Sequence, residues 1–187
     1  MVPNLPSSGR LPACFARFQP PLMSNVRRLQ MQHPRTIETT LEHPGTGRFS
    51  SVIRAEDLWS CVPVSVREGN YVLFMASDRQ AQTSKVEAAR AWVEAGAAYV
   101  CVWGPNSHEI EEAFDHAAFL PELGEPLPFT LMTTSHRDEP MEEALWFAFY
   151  NGKAPDEVDD GACPVVVVVD SKALEERVTS WVRGNTE

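Results

Sequence analysis

FTLMTTSHRDEPMEEALWFAF, residues 129–149, decides the fold. It reads as an apolar strand, a polar loop holding Ser135, His136, Asp138 and Glu139, and the start of an almost wholly apolar helix. A strand that ends in a polar loop and feeds a helix is the repeating unit of open α/β sheets, and ligand sites collect at those strand ends. Pro140 suits the first helical turn, where its missing N–H costs nothing, and Asp138 or Glu139 suits the cap before it. Met141, Ala144, Leu145, Ala148 and Phe149 make one stripe. Trp146 and Phe147 are apolar as well, so the helix is expected to be covered on nearly every side, with both rings buried.

The same unit recurs on either side. YVLFMA (71–76) and AAYVCVW (97–103) are short apolar runs suited to strands buried on both faces. Between them, Ser84 with Glu87 is a capping-box signature, Val86, Ala89 and Val93 share a helical face, and Gly96 supplies a stop. Asn106 with Glu109 offers a second cap, for a helix reaching about Phe119 with Ile110, Ala113, Phe114 and Ala117 inward. PVVVVVD (164–170) is the strongest central strand, and Leu174, Val178, Trp181 and Val182 line the helix after it. Alternating strands and helices imply right-handed crossovers. The expected fold is a three-layer Rossmann-like α/β sandwich with a mainly parallel sheet of about four to five strands.

Residues 1–48 carry seven of the fifteen prolines and little periodicity, and read as a disordered or loosely attached extension to a single α/β domain over 49–187. Met23 and Met31 leave open whether residues 1–30 belong to the native protein. The net charge of −10 is divided unevenly: residues 1–54 hold seven Arg against two Glu, and residues 55–187 hold nine basic against twenty-four acidic side chains. An acidic domain argues against nucleic-acid and anionic-membrane partners, and suits a basic protein partner. No apolar run approaches the ~20 residues that span a bilayer, and no secretory core is present, so a cytoplasmic protein is expected. Cys14, Cys61, Cys101 and Cys163 form no CxxC pair, which disfavours zinc or a disulfide framework. The loop ASDRQAQTS (76–84) lacks glycine, so no NAD, FAD or Walker-type ATP site and no other cofactor is expected.

AWVEAGAAYVCVWG, then TLMTTSHRDEPMEEALWFAF, then a valine-rich strand together resemble an uncharacterised bacterial family of small Rossmann-like proteins, a domain of unknown function. The matching positions are Trp92, Gly96, Tyr99, Trp103 and Gly104, then Met132, Thr133, Thr134, His136, Glu139, Glu142, Glu143, Trp146 and Phe147. Ser135 stands where the family pattern has tryptophan, and Ser107 where it often has cysteine, which removes a thiol nucleophile from that loop. The resemblance implies the fold and a bacterial origin, and no activity.

In a parallel sheet the loops leaving the strand C-termini share one edge. Here they carry Asp78 and Arg79; Asn106, Ser107 and His108; Ser135, His136, Asp138 and Glu139; and Asp170 with Ser171. His136, Glu139 and His108 are the candidate catalytic groups, with an imidazole able to take its orientation from a neighbouring carboxylate. Asp78, Asn106, Ser107, Ser135, Asp138 and Asp170 are candidate ligand contacts, although Asn106, Asp138 and Asp170 equally suit helix caps. No metal site is expected. Ser135 and His136 are adjacent in an extended segment and point to opposite faces, so they form no dyad. Two functions follow. One is an acidic, non-catalytic binding or accessory protein that recognises a basic protein partner, as in bacterial conflict or defence systems. The other is a small-molecule, nucleotide-like enzyme or sensor built around His136 and Glu139. A homo-oligomer is open in both.

Overall fold

Val165–Val169 is buried along its whole length, and a five-valine strand is stable only where both faces are covered. In the computed structural model, which describes residues 37–60, 70–79, 85–119, 127, 129–153 and 163–184, that strand lies at the middle of the sheet. In chain order the elements are β1 (Ile37–Glu42), β2 (Phe49–Arg54), β3 (Tyr71–Ala76), α1 (Val86–Glu94), β4 (Ala97–Trp103), α2 (Ser107–Phe119), β5 (Met132–His136), α3 (Met141–Tyr150), β6 (Val165–Val169) and α4 (Lys172–Val182). The sheet order is β1-β2-β6-β3-β4-β5, parallel throughout except for the antiparallel β1–β2 hairpin. Val165, Val167 and Val169 pack with Phe74 and Val72 under α3 and α4. Val166 and Val168 pack with Leu73 and Met75 under α1 and α2. The fold is the expected three-layer sandwich.

Several expectations change. The sheet has six strands among the described residues, because β1 lies inside the stretch read as an extension. The turn after it is built on His43, whose Nδ1 accepts from the Gly45 and Thr46 N–H groups, while Gly47 takes φ +66°. Arg48 follows, buried, and its Nη1 donates to the carbonyls of Ala148 (3.2 Å), Phe149 (3.0 Å) and Gly152 (2.8 Å). A cation there satisfies carbonyls that the end of α3 leaves unpaired and opposes the helix dipole. Periodicity cannot show such a contact, since it joins residues a hundred positions apart.

Strand β5 begins at Met132 and is a half-buried edge strand rather than a buried one. Pro140 is the residue capping α3, and neither Asp138 nor Glu139 caps it. Trp146 is 50% exposed and Phe147 only half-buried, so α3 is not covered all round. It lays Met141, Ala144, Leu145, Ala148 and Phe149 on the sheet and turns Trp146 and Tyr150 outward, their rings stacked at 5.3 Å. Ser84 and the acidic loop 156–161 lie outside the described residues, and the cap position of α1 is Lys85. No helix among the described residues is long and apolar enough to cross a membrane.

Arg48→Met is expected to lower stability by about 2–3 kcal/mol, the scale of a charged hydrogen bond lost with its acceptors left buried. Removing residues 1–48, which also takes away β1, should cost more than that; urea unfolding measures both. Trp146→Ala should cost about 1 kcal/mol, since half its surface is already wet, against about 2–5 kcal/mol for Leu145→Ala. Equal losses in the same unfolding series would contradict the orientation of α3.

Candidate functional site

Because β3 sends the chain to α1 on one face and β6 sends it to α4 on the other, the gap between these neighbouring strands is the topological switch point of the sheet. Ser77 and Asp170 stand at its mouth, each one residue past its strand. The Ser77 hydroxyl donates to Asp170 Oδ2, and Arg79 Nε lies 3.3 Å from the same oxygen. Arg79 also donates from Nη2 to the Asp170 carbonyl (3.2 Å) and from Nη1 to the Glu56 carbonyl (2.9 Å), so its guanidinium spans the crevice. Gly104 presses on this loop: its φ is +121°, and a Cβ there would overlap the Ser77 carbonyl. Asn106 donates to the Arg79 carbonyl (3.1 Å) and joins the two loops.

Asp170 does not cap α4; Ser171 does, accepting from the Leu174 N–H at 3.2 Å. Burial raises the Asp170 carboxyl above its ordinary value, outweighing the Ser77 hydrogen bond and the Arg79 charge. Asp57, farther along the edge, is held below its ordinary value: partial burial opposes this, but its 2.6 Å contact with Lys85 prevails. Asp78 and Asp138 are exposed, and Ser135 is half-buried in β5. Ser107 is fully buried, its hydroxyl without a hydrogen-bond partner.

The second cluster lies at the β5 end of the same edge. His136 is 7% exposed, with Nδ1 3.0 Å from Glu139 Oε1 and Nε2 3.3 Å from the Thr134 hydroxyl. The Glu139 contact has ion-pair distance but lies off the ring N–H direction. The imidazole packs 5.2 Å from the Phe147 ring, and Trp103 Nε1 donates to the Glu139 carbonyl at 2.8 Å. His108 instead faces Glu111 and Glu112 of its own helix, at 3.4 and 3.5 Å. The structure thus brings Glu139 to His136 and places His108 with other carboxylates. No group of three or more His, Cys, Asp or Glu among the described residues is arranged to hold a metal ion. Burial pushes the Cys101 thiol up to about 12, which makes it an inert core group; Cys163 is buried too, and Cys14 and Cys61 lie outside the described residues.

A third feature was hidden from the sequence reading. Glu139, Glu142, Glu143, Trp146, Phe147 and Trp181 line an open groove of about 540 Å³ along the outer side of α3. Glu142 is tied to Arg177 by contacts of 2.8 and 3.2 Å; partial burial raises its carboxyl, and the Arg177 bonds outweigh that and leave it below its ordinary value. Arg177 also lies 5.9 Å above the Trp103 ring. The signal in the sequence is the spacing of Glu143, Trp146 and Tyr150 at i, i+3 and i+7, which places a carboxylate on the same stripe as the indole.

Because the Asp170 carboxyl has a raised value in the folded state, the folded protein holds a proton that the unfolded chain has already released. Stability from this group is present below the ordinary carboxylate value and is lost as pH rises toward the raised one. Asp170→Asn should therefore flatten the decline of Tm with pH in that window. A steeper decline in thermal scans would show that the Arg79 pair, not burial, governs the group.

No curated protein and no solved structure matches the chain. A family model does match, over residues 56–184, from the loop after β2 to the end of α4 and so across both clusters and the groove. On that match the chain belongs to the family described as Domain of unknown function (DUF7684).

Proposed function

We propose that this protein is a binding protein whose acidic domain recognises a basic protein surface, with the outer side of α3 as the contact area. The observation that carries the reading is the stacked pair of Trp146 and Tyr150, 50% and 40% exposed, beside Glu142 and Glu143. Large rings turned to water are unusual on a helix that already has a full apolar stripe, and aromatic residues are enriched at the centres of interfaces. The excess of acidic side chains over residues 55–187 adds long-range attraction for a cationic partner, which speeds encounter and selects its sign.

A second reading rests on the His136–Glu139 pair, which places a carboxylate beside a buried imidazole at a strand end and at the rim of the groove. It describes a small-molecule sensor or enzyme with a nucleotide-like ligand. Of the His136 ring nitrogens, Nε2 meets the Thr134 hydroxyl at 3.3 Å, while Nδ1 lies 3.0 Å from Glu139 Oε1 without a hydrogen bond.

Two measurements on the full chain separate these readings. Binding to a lysine-rich basic peptide is expected at low salt and should weaken steeply as salt rises, because screening shortens the reach of exposed charges. An affinity indifferent to salt removes the electrostatic basis. A thermal-shift screen against nucleotides and divalent metals tests the second reading, since a ligand at 100 times its Kd adds about 2.7 kcal/mol. No shift with any of them would end it.

A further inference from the structure

Deepening that reading, on which it rests, we propose that the groove beside α3 seats one exposed arginine of the basic partner, its guanidinium stacked on Trp146 and paired with Glu143. The lining combines three carboxylates with three aromatic rings. Carboxylates repel an anion, and covering them with an apolar side chain would strip their water without replacing it. A cation with a flat face satisfies both kinds of wall at once.

The three carboxylates are not equivalent. Glu139 lies 3.0 Å from His136 Nδ1 and Glu142 is bonded by Arg177, while Glu143 is exposed and makes no ion pair among the described residues. One carboxylate of the lining is therefore left to meet a cation from outside. The indole is prepared as well: Trp146 lies nearly parallel to the Tyr150 ring, 17° apart, so little rotamer freedom remains to be lost on binding. The protein already shows the same chemistry next door, where Arg177 meets the Glu142 carboxylate and the Trp103 face together. Arginine fits better than lysine because its planar group stacks and can donate to a carboxylate in the same pose, whereas an ammonium is a strongly hydrated point charge.

The test is calorimetry on the full chain with a lysine–glycine peptide carrying one central arginine, beside the same peptide with citrulline, which keeps the shape and loses the charge. Citrulline is expected to weaken binding by about 10-fold, on the scale of one charged contact. Trp146→Ala should weaken the arginine peptide by about 2- to 30-fold, and Glu143→Gln by about 2- to 5-fold. Glu87→Gln, on α1 at the opposite face of the sheet, should leave affinity unchanged. Indifference to Trp146→Ala, or equal losses in Glu87→Gln and Glu143→Gln, overturns the arginine seat and leaves the broader acidic recognition standing. Absence of binding by either peptide at low salt overturns both.

Discussion

Five adjacent valines impose a requirement that most of this structure answers. Both faces of β6 must be covered, so β6 has to lie inside the sheet with helices above and below it. Its neighbours are β2 and β3, both parallel to it, and β3 is buried along its length as well. Once β6 returns beside β3 after the chain has run outward through β4 and β5, the connections on the two sides must diverge. The switch point, and the line of strand-end loops that carries Ser77, Asp170, Asn106 and His136, follow from that single placement.

The same placement assigns α3 to the layer shared with α4 and gives it a sheet surface on one side only. Its far end is tied down by a residue from a distant hairpin: Arg48 gathers three carbonyls at the end of α3, while the His43 ring packs on Phe149 and Trp181 at 5.2 and 5.0 Å. The β1–β2 hairpin is thus both an extension of the sheet and the cap of the helix that carries the groove.

Much of this was legible in the residues. The strands at 71–76, 97–103 and 165–169 are apolar runs bounded by polar loops, and the inward faces of α2 and α4 obey helical spacing, so the layer architecture is written in the residue pattern itself. That a carboxylate of the strand-end loop could meet His136 was readable, but the choice between Asp138 and Glu139 was not; Glu139 is the one at 3.0 Å. Other features were not legible. IETTLE has no apolar run of its own and lies after a proline-rich stretch, and its pairing with β2 is a tertiary fact. Trp146 and Phe147 were read as buried from polarity alone, although helix geometry gives a ten-residue helix on a sheet only one covered side. Asp170 looked like a cap because it opens a helix, but Ser171 had the better position and left the aspartate to the crevice.

That last substitution of roles bears on where a ligand can act. The crevice at the switch point is the usual place for one, yet Arg79 spans it and is held by Asp170 and Glu56. A ligand entering there must break an ion pair whose aspartate side chain has no exposed surface, and the freed carboxylate would then be buried without its cation. An outer face offers the opposite balance. Trp146 and Glu143 are already accessible, Glu143 has no ion pair to surrender among the described residues, and Glu142 beside it is restrained by Arg177. A partner seated there would add contacts without dismantling any, the condition under which a modest groove can lend specificity to an electrostatic encounter.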